Sequence, residues 1–361
     1  MRKMVSLIDY TLDEAFRRRV PQSAIAGILD ILQKYGVEMH DVSLEHMPEY
    51  RNILSDASLL ERLRCRVAPS ISELSKARGM GFKKMAVVWS NRLNPLSIPK
   101  LDAALYAVRD AGAEPFLCIE DASRSYYAEF DVYWPIIERY DVQRLIYCDS
   151  SSAMDPFIVR RSLMELLETA ICPVEFCASN TFGLATANGL AALKAGVQHI
   201  GTSVNGVGPK GRTAMEELLM AVRHLWKGQT PPGYTLADDC SSILSAMKME
   251  VRVDKAIIGA NVFAHESGIH VDGIAKNPEL YEMIKPEEVG LKRQLVIGKH
   301  SGTASLKHKF REWQMDLEQS DATQMLEQVR DIAEEQKRPL TDFQLMDLYR
   351  RRLISIHEST Y

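Results

Sequence analysis

Arg144-Leu145-Ile146-Tyr147-Cys148-Asp149 is a short, mostly apolar run that ends on an acid. After Ser150 to Met154, Asp155-Pro156 opens a longer stretch to Thr169, and Val174-Glu175-Phe176-Cys177 follows as a second short run. Asp suits the cap of a helix, where its oxygen accepts from free backbone N–H groups, and Pro suits the first helical position. Phe157, Ile158, Leu166 and Leu167 place an apolar stripe along that helix. The segment reads as strand, helix, strand.

The same alternation runs outward in both directions, from the N-terminus to about residue 225. Strands are predicted at Val5–Asp9, Val37–Val42, Cys65–Ala68, Lys84–Trp89, Pro115–Glu120, Arg144–Asp149, Val174–Cys177 and His199–Thr202. Helices are predicted between them at Ala24–Tyr35, Lys100–Ala111, Pro156–Thr169, Gly183–Leu193 and Ala214–Leu225. Eight such units in ~225 residues have the cadence of an α/β fold closed as a (β/α)8 TIM barrel. A doubly wound sheet shares the alternation, so the count favours the barrel without excluding the open sheet. After Pro231-Pro232-Gly233 the alternation stops, and charged amphipathic helices follow near Ala304–Trp313, Ala322–Gln336 and Asp342–Arg352. The expected organisation is a barrel over residues 1–235 and a mostly helical linker and lid over 236–361.

Composition narrows the function. Lys and Arg number 44 and Asp and Glu 48, a net charge of −4 in 361 residues, so no basic excess exists to meet a nucleic-acid backbone. The longest stretch without a charged residue, Phe176 to Leu193, holds Ser179, Asn180, Thr181, Thr186 and Asn188 and is too polar for a membrane span. Met1 to Asp9 reaches an acid before a signal-peptide apolar region can form. Six scattered cysteines without a CxxC pair fit reduced, buried thiols. A cytoplasmic protein is expected.

In a barrel of this kind the C-terminal strand ends line the site. Here they carry Asp9-Tyr10-Thr11, Asp41-Val42-Ser43, Glu120-Asp121, Asp149-Ser150, Cys177-Ala178-Ser179 and Thr202 to Asn205, a rim of acids and hydroxyls. Cys177 and Ser179, two apart on a strand, point into the same mouth. With Glu14, just past the first strand, they form the candidate set for a divalent metal. Against it, Ser is a poor ligand and a lone Cys usually packs. Gly206-Val207-Gly208-Pro209-Lys210-Gly211 matches GxGxxG literally. It follows the last strand rather than the first, so it reads as a tight turn or phosphate-facing loop, not a dinucleotide fingerprint. Gly298-Lys299-His300-Ser301-Gly302 resembles half of a phosphate cradle. His265-Glu266-Ser267-Gly268-Ile269-His270 is one residue too long for HExxH and would turn its imidazoles to different helix faces, so a zinc-protease site is rejected.

Several ordered stretches carry a family resemblance. They are Glu120-Asp121-Ala122-Ser123-Arg124, Gly183-Leu184-Ala185-Thr186-Ala187-Asn188, Asn205-Gly206-Val207-Gly208, His265 to Gly273, and Tyr281 to Gly290 leading into Gly298 to Gly302. Together they resemble the homocitrate synthase and isopropylmalate synthase family, the first stretch being closest to nitrogen-fixation-type homocitrate synthases. The resemblance implies a TIM barrel with a C-terminal lid that condenses acetyl-CoA or another acyl-CoA with a 2-oxo acid on a divalent metal. It implies catalytic roles for the lid residues His270 and Tyr281 and for Arg124. Asp41, Glu120, Ser150 and Asn205 are the candidate substrate contacts.

The departures are systematic. The family opens with D-x-T-L-R-D-G-x-Q, whose Arg stabilises the enolate oxygen and whose second Asp binds metal; this chain reads Asp9 to Arg17 with Asp13 and Glu14 at those positions. The family's His-x-His-Asn-Asp reads Cys177-Ala178-Ser179-Asn180-Thr181, and the last Asn of N-G-x-G-E-R-x-G-N falls on Thr213. The segment Ser90 to Pro99 is shorter than the family's loop. Losing one oxyanion stabiliser costs ~10²–10³ in rate, and loss of the Lewis acid acts on the same transition state. Metal-dependent chemistry is therefore expected to be impaired in the isolated chain. Two readings follow: an acyltransferase with a repurposed site using Glu14, Cys177, Ser179 and Lys210, or a non-catalytic partner subunit or ligand sensor. The second lends its His270/Tyr281 lid to a catalytic homologue, the chain forming a homodimer or heterodimer. A metal-free lysine-dependent aldol reaction ranks last, because no lysine falls on a predicted strand end.

Overall fold

The computed structural model describes residues 5–50, 52–90, 98–124, 127–266 and 283–358. Eight strands follow one another: β1 (Ser6–Asp9), β2 (Val37–Ser43), β3 (Leu63–Val67), β4 (Lys84–Ser90), β5 (Glu114–Glu120), β6 (Leu145–Asp149), β7 (Val174–Ala178) and β8 (His199–Ser203). Each runs parallel to the next. β1 also pairs with β8, with Leu7 beside Ile200 and Asp9 beside Thr202. That pairing closes the sheet and makes it a TIM barrel rather than an open doubly wound sheet.

The connecting helices include α1 (Thr11–Arg17), α2 (Gln22–Lys34), α3 (Ala57–Leu60), α4 (Ile71–Gly79), α5 (Ile98–Asp110), α6 (Trp134–Arg139), α7 (Pro156–Thr169), α8 (Ala185–Ala195) and α9 (Met215–Leu225). The Asp155 cap forms as predicted, its Oδ1 accepting from Phe157 N at 2.8 Å and Ile158 N at 2.9 Å. The apolar stripe of α7 differs from the expected one. Val159, Leu163 and Leu166 are buried, whereas Phe157 is 86% exposed and Ile158 36%. Positions i, i+4 and i+7 keep one helical face, and a helix whose first residue is Pro156 turns Phe157 outward.

The chain divides into two compact units, Met1–Val251 and Arg252–Tyr361. The first includes α10 (Leu236–Ala246), tied to α2 where Asp239 accepts from Tyr35 Oη at 2.7 Å and Lys34 Nζ at 3.0 Å. The second contains α11 (Thr303–Glu312), α12 (Gln319–Gln336) and α13 (Asp342–Glu358). Leu306, Phe310, Met325, Val329 and Leu345 form its apolar core. In this unit the glycine cradle of residues 298–302 is already filled, because the Glu266 carboxylate accepts from His300 N at 2.8 Å.

Candidate active site in the barrel mouth

Alternate residues of each strand face the barrel axis. One layer is apolar and includes Ile8, Met39, Ala86, Phe116 and Ile146. Charged groups interleave with it. Arg64 on β3, fully buried, donates to Glu175 on β7 through both terminal nitrogens at 2.8 Å and to Asp41 on β2 through Nε at 2.7 Å. Burial alone would raise the Glu175 carboxyl, but Arg64 and Arg144 outweigh it and hold the group below the usual carboxylate range. Asp41, a candidate substrate contact, is thereby placed within this network, paired with Arg64 and, at 2.6 Å, with Arg66.

The C-terminal mouth is a pocket of about 180 Å³. Three consecutive strands build one wall by the same rule. Cys118 and Glu120 on β5, Cys148 on β6 with Ser150 just past its end, and Cys177 on β7 with Ser179 just past its end are each two apart, so each strand contributes a thiol and then an oxygen group. Cys148 pairs with Cys177 in register and is hydrogen-bonded to both other thiols. The bond to Cys118 is the main influence pushing the Cys148 thiol up to about 12. The bond to Cys148, reinforced by burial, raises Cys177 well above its ordinary value. Cys148 and Cys177 are therefore neutral thiols at neutral pH, and the thiolate is the form that attacks or binds metal.

The rest of the pocket is cationic. Arg212, in the loop after β8, donates from Nη1 to Cys177 Sγ at 2.8 Å and lies over the Tyr10 ring at 4.0 Å from its centroid. Lys210 donates from Nζ to the Ser150 carbonyl at 2.9 Å. Arg66 lines the same pocket and bonds Ser43 Oγ at 2.7 Å and the Asp13 carboxylate. A second cleft of about 420 Å³, at the ends of β2 to β4, shares Arg66 and Val88 with it. The GxGxxG stretch is a turn over the mouth, with Pro209, Lys210 and Gly211 facing the pocket.

The metal set read from the sequence is not assembled. Cys177 and Ser179 share the pocket, but Glu14 does not. Its buried carboxylate accepts from Arg17 Nε at 2.7 Å and Nη2 at 2.6 Å, and from Arg18 Nε at 2.6 Å. The cause is local. Asp9 caps α1 by accepting from Thr11 N at 2.8 Å and Leu12 N at 3.1 Å, so the helix starts directly at the strand end. Successive helical residues then diverge by about 100°. Asp13 faces β2 and β3, and Glu14 faces its own i+3 and i+4 arginines. Among the described residues no group of three His, Cys, Asp or Glu side chains could hold a metal ion. A neutral thiol bonded to a guanidinium, a serine hydroxyl and a remote carboxylate do not fit a divalent cation. Asp13 also differs from expectation: it is not a bare anion in the mouth, because Arg66 and Ser43 neutralise and bind it.

Among the remaining candidates, Glu120 and Ser150 line the pocket. Asn205 lies outside the pocket's lining, in a left-handed turn (φ 56°), with its N–H donating to Glu216 at 2.9 Å. Arg124 donates from Nε to Ser151 Oγ at 3.2 Å and also lies outside that lining. His270, Tyr281 and most of the shortened loop after β4 fall outside the described residues. Sequence reading missed Arg66, whose strand end carries neither acid nor hydroxyl, and Arg212. A signal for Arg212 was present, because the eighth position of N-G-x-G-E-R-x-G-N, a glycine in the family, is this arginine.

Comparison with known proteins agrees with this architecture. Residues 91–259 match the HMGL-like family and residues 257–337 the homocitrate synthase post-HMGL domain-like family. The chain is 41% identical over 254 residues to 2-isopropylmalate synthase 2 of Caldanaerobacter subterraneus subsp. tengcongensis, covering 69% of this chain and 66% of that protein. It is 36% identical over 222 residues to homocitrate synthase 1 of Nostoc sp., covering 60% of this chain and 58% of that protein. The chain thus spans less than two thirds of the length of these relatives. The HMG-CoA lyase from Brucella melitensis shares the fold, with a TM-score of 0.54 at 16% identity over 68% of this chain and 97% of that one. With the closed barrel, the post-barrel domain and these relatives in agreement, the chain belongs to the homocitrate synthase and isopropylmalate synthase family.

Proposed function

We propose that this chain is a cytoplasmic synthase-family barrel that binds a small ligand as a partner subunit or sensor and does not by itself carry out metal-dependent condensation. The contact between Arg212 and Cys177 carries the reading. The family pattern has a metal-binding imidazole at the Cys177 position, and here that position is a neutral thiol under a guanidinium. Condensation through an enolate needs a base at carbon and a cation at the developing oxyanion. Glu14 is bound by Arg17 and Arg18, and Asp13 occupies the position of the family's stabilising Arg. Acyl-CoA and 2-oxo acids are the ligand classes proposed for the scaffold. The proposed assembly is a dimer, with itself or with a catalytic homologue, to which the chain lends His270 and Tyr281.

The test is thiol release from acetyl-CoA with a panel of 2-oxo acids, with and without Mn²⁺. The expected result is no turnover by the purified chain alone and stimulation of an added catalytic homologue, lost in His270→Ala. An unchanged rate in that variant removes the lid-sharing part of the proposal. A second reading, a repurposed acyltransferase, is favoured by one observation: Lys210, Cys177 and Ser179 share one pocket. Steady turnover by the chain alone, abolished by Glu14→Gln, would replace the first reading with the second.

A further inference from the structure

We infer that Cys148 and Cys177 form a dithiol site that takes one uncharged trivalent metalloid, of the arsenous acid class, bridged between their sulfurs. The site is independent of whether the chain catalyses condensation. Cys148 and Cys177 lie side by side in register on β6 and β7, and both line the mouth. Their thiols are hydrogen-bonded to each other, so the sulfurs are neighbours before any ligand arrives. A disulfide would have to draw two such sulfurs to about 2 Å, whereas one atom bonded to both leaves them apart. The other thiols do not offer this arrangement. Cys118 stands beside Ile146 in the β5–β6 register, two residues back from Cys148. Cys65 alternates with the inward Arg64 and Arg66, so it turns to the outer face of β3 and bonds the Arg66 carbonyl at 3.8 Å. Cys172 precedes β7 at the opposite strand end, and Cys240 lies on α10.

The protonation of the pair selects the ligand. Cys148 is pushed up to about 12 and Cys177 well above its ordinary value, so a divalent cation must first expel both protons to water. Arsenous acid carries its own proton acceptor. Each of two As–OH groups leaves as water with one thiol proton, so two As–O and two S–H bonds break while two As–S and two O–H bonds form. No oxidant or reductant takes part, and the remaining As–OH is left to the hydroxyls of Ser150 and Ser179, which line the same pocket. Charge acts in the same direction. Arg212 donates to Cys177 Sγ at 2.8 Å, and with Lys210 it outweighs Glu120 among the lining residues, so the mouth disfavours a free cation and admits an uncharged solute. The volume of about 180 Å³, roughly six waters at about 30 Å³ each, accommodates so small an acid.

The experiment is equilibrium dialysis of the full chain, reduced with a phosphine and freed of added thiols, against sodium arsenite, with bound arsenic counted by mass spectrometry. The expected result is one arsenic per chain, bound about 100-fold or more weakly in Cys148→Ala and in Cys177→Ala, because losing either sulfur removes the intramolecular second bond. Cys118→Ala is expected to weaken binding by less than about 10-fold, since that chelate stays intact. Circular dichroism checks that each variant folds, and a serine variant replaces any alanine variant that does not. X-ray absorption at the arsenic edge needs no substitution, and on the arsenic-loaded chain it is expected to show two sulfurs and one oxygen around the metalloid. Three sulfurs or oxygen alone would overturn the inference. So would no bound arsenic at millimolar arsenite, undiminished binding without Cys148 or Cys177, or a loss in Cys118→Ala as large as theirs. The acetyl-CoA assay is read separately, and turnover there would remove the non-catalytic reading while leaving the dithiol site in place.

Discussion

Arg64 and Glu175 face each other across the barrel interior in a two-pronged pair, both bonds at 2.8 Å and neither side chain with any exposed surface. Asp41 shares the same guanidinium. Arg64→Met would leave two buried carboxylates without their common cation, at a cost of about 3–5 kcal/mol. The conservative Glu175→Gln is expected to cost less, because its carbonyl still accepts one bond. Urea unfolding followed by tryptophan fluorescence, with Trp89 buried in the barrel, measures both. An unchanged midpoint in Arg64→Met would show that the network contributes little.

The same network sets a pH dependence. Burial would raise Glu38, but hydrogen bonds from His199, Ser6 and Arg144 hold it well below the ordinary range, and Glu175 is lowered by Arg64 and Arg144. A carboxyl lowered in the folded state contributes stability that is full above its unfolded pKa of about 4.3 and is lost as pH falls through the folded value. Stability is expected to fall steeply below about pH 4. Arg144 touches both carboxylates, so Arg144→Met should make that acid limb shallower, as read from unfolding midpoints across pH.

Gly201 on β8 admits the Tyr10 ring. A Cβ there would lie 2.9 Å from Tyr10 Cε2 and 3.2 Å from Cys177 Sγ. Gly201→Ala is expected to destabilise the barrel by about 1–3 kcal/mol through overpacking and to shift the Tyr10 ring on which Arg212 rests. Thermal unfolding together with a crystal structure of the variant checks both effects.

Metal addition is a further discriminator. A site occupied at a thousand times its dissociation constant would add about 4 kcal/mol to stability. The ligands Glu14, Cys177 and Ser179 are not brought together, so 1 mM Mn²⁺ or Mg²⁺ is expected to move the melting temperature by less than about 1 °C. A shift of several degrees, abolished by EDTA, would require a metal site elsewhere in the chain.

Much of the architecture is legible in the residues themselves. The eight strands were predicted within about two residues of their observed ends, because period-2 burial and helix caps such as Asp155 are local signals. Ser150, Glu120, Cys177 and Ser179 could be assigned to one mouth, since a parallel barrel puts every C-terminal strand end on the same face. Glu14 could not be placed in this way. Its direction depends on where α1 begins, and Asp9 sets that start through two backbone bonds.

Residue type and spacing alone determined the alternation of eight strands with helices, and the resemblance to the family implies that Cys177 and Ser179 stand where that family has metal-binding imidazoles. Tertiary structure decided what replaced them. Cys118, Cys148 and Cys177 become one thiol layer only when β5, β6 and β7 lie side by side, and Arg66 meets Asp13 only across strand and helix. Arg212 sits in a loop with no periodicity to give its direction. Closure of β1 against β8 brings Tyr10 beneath it and makes a surface-type residue the cation at the centre of the mouth.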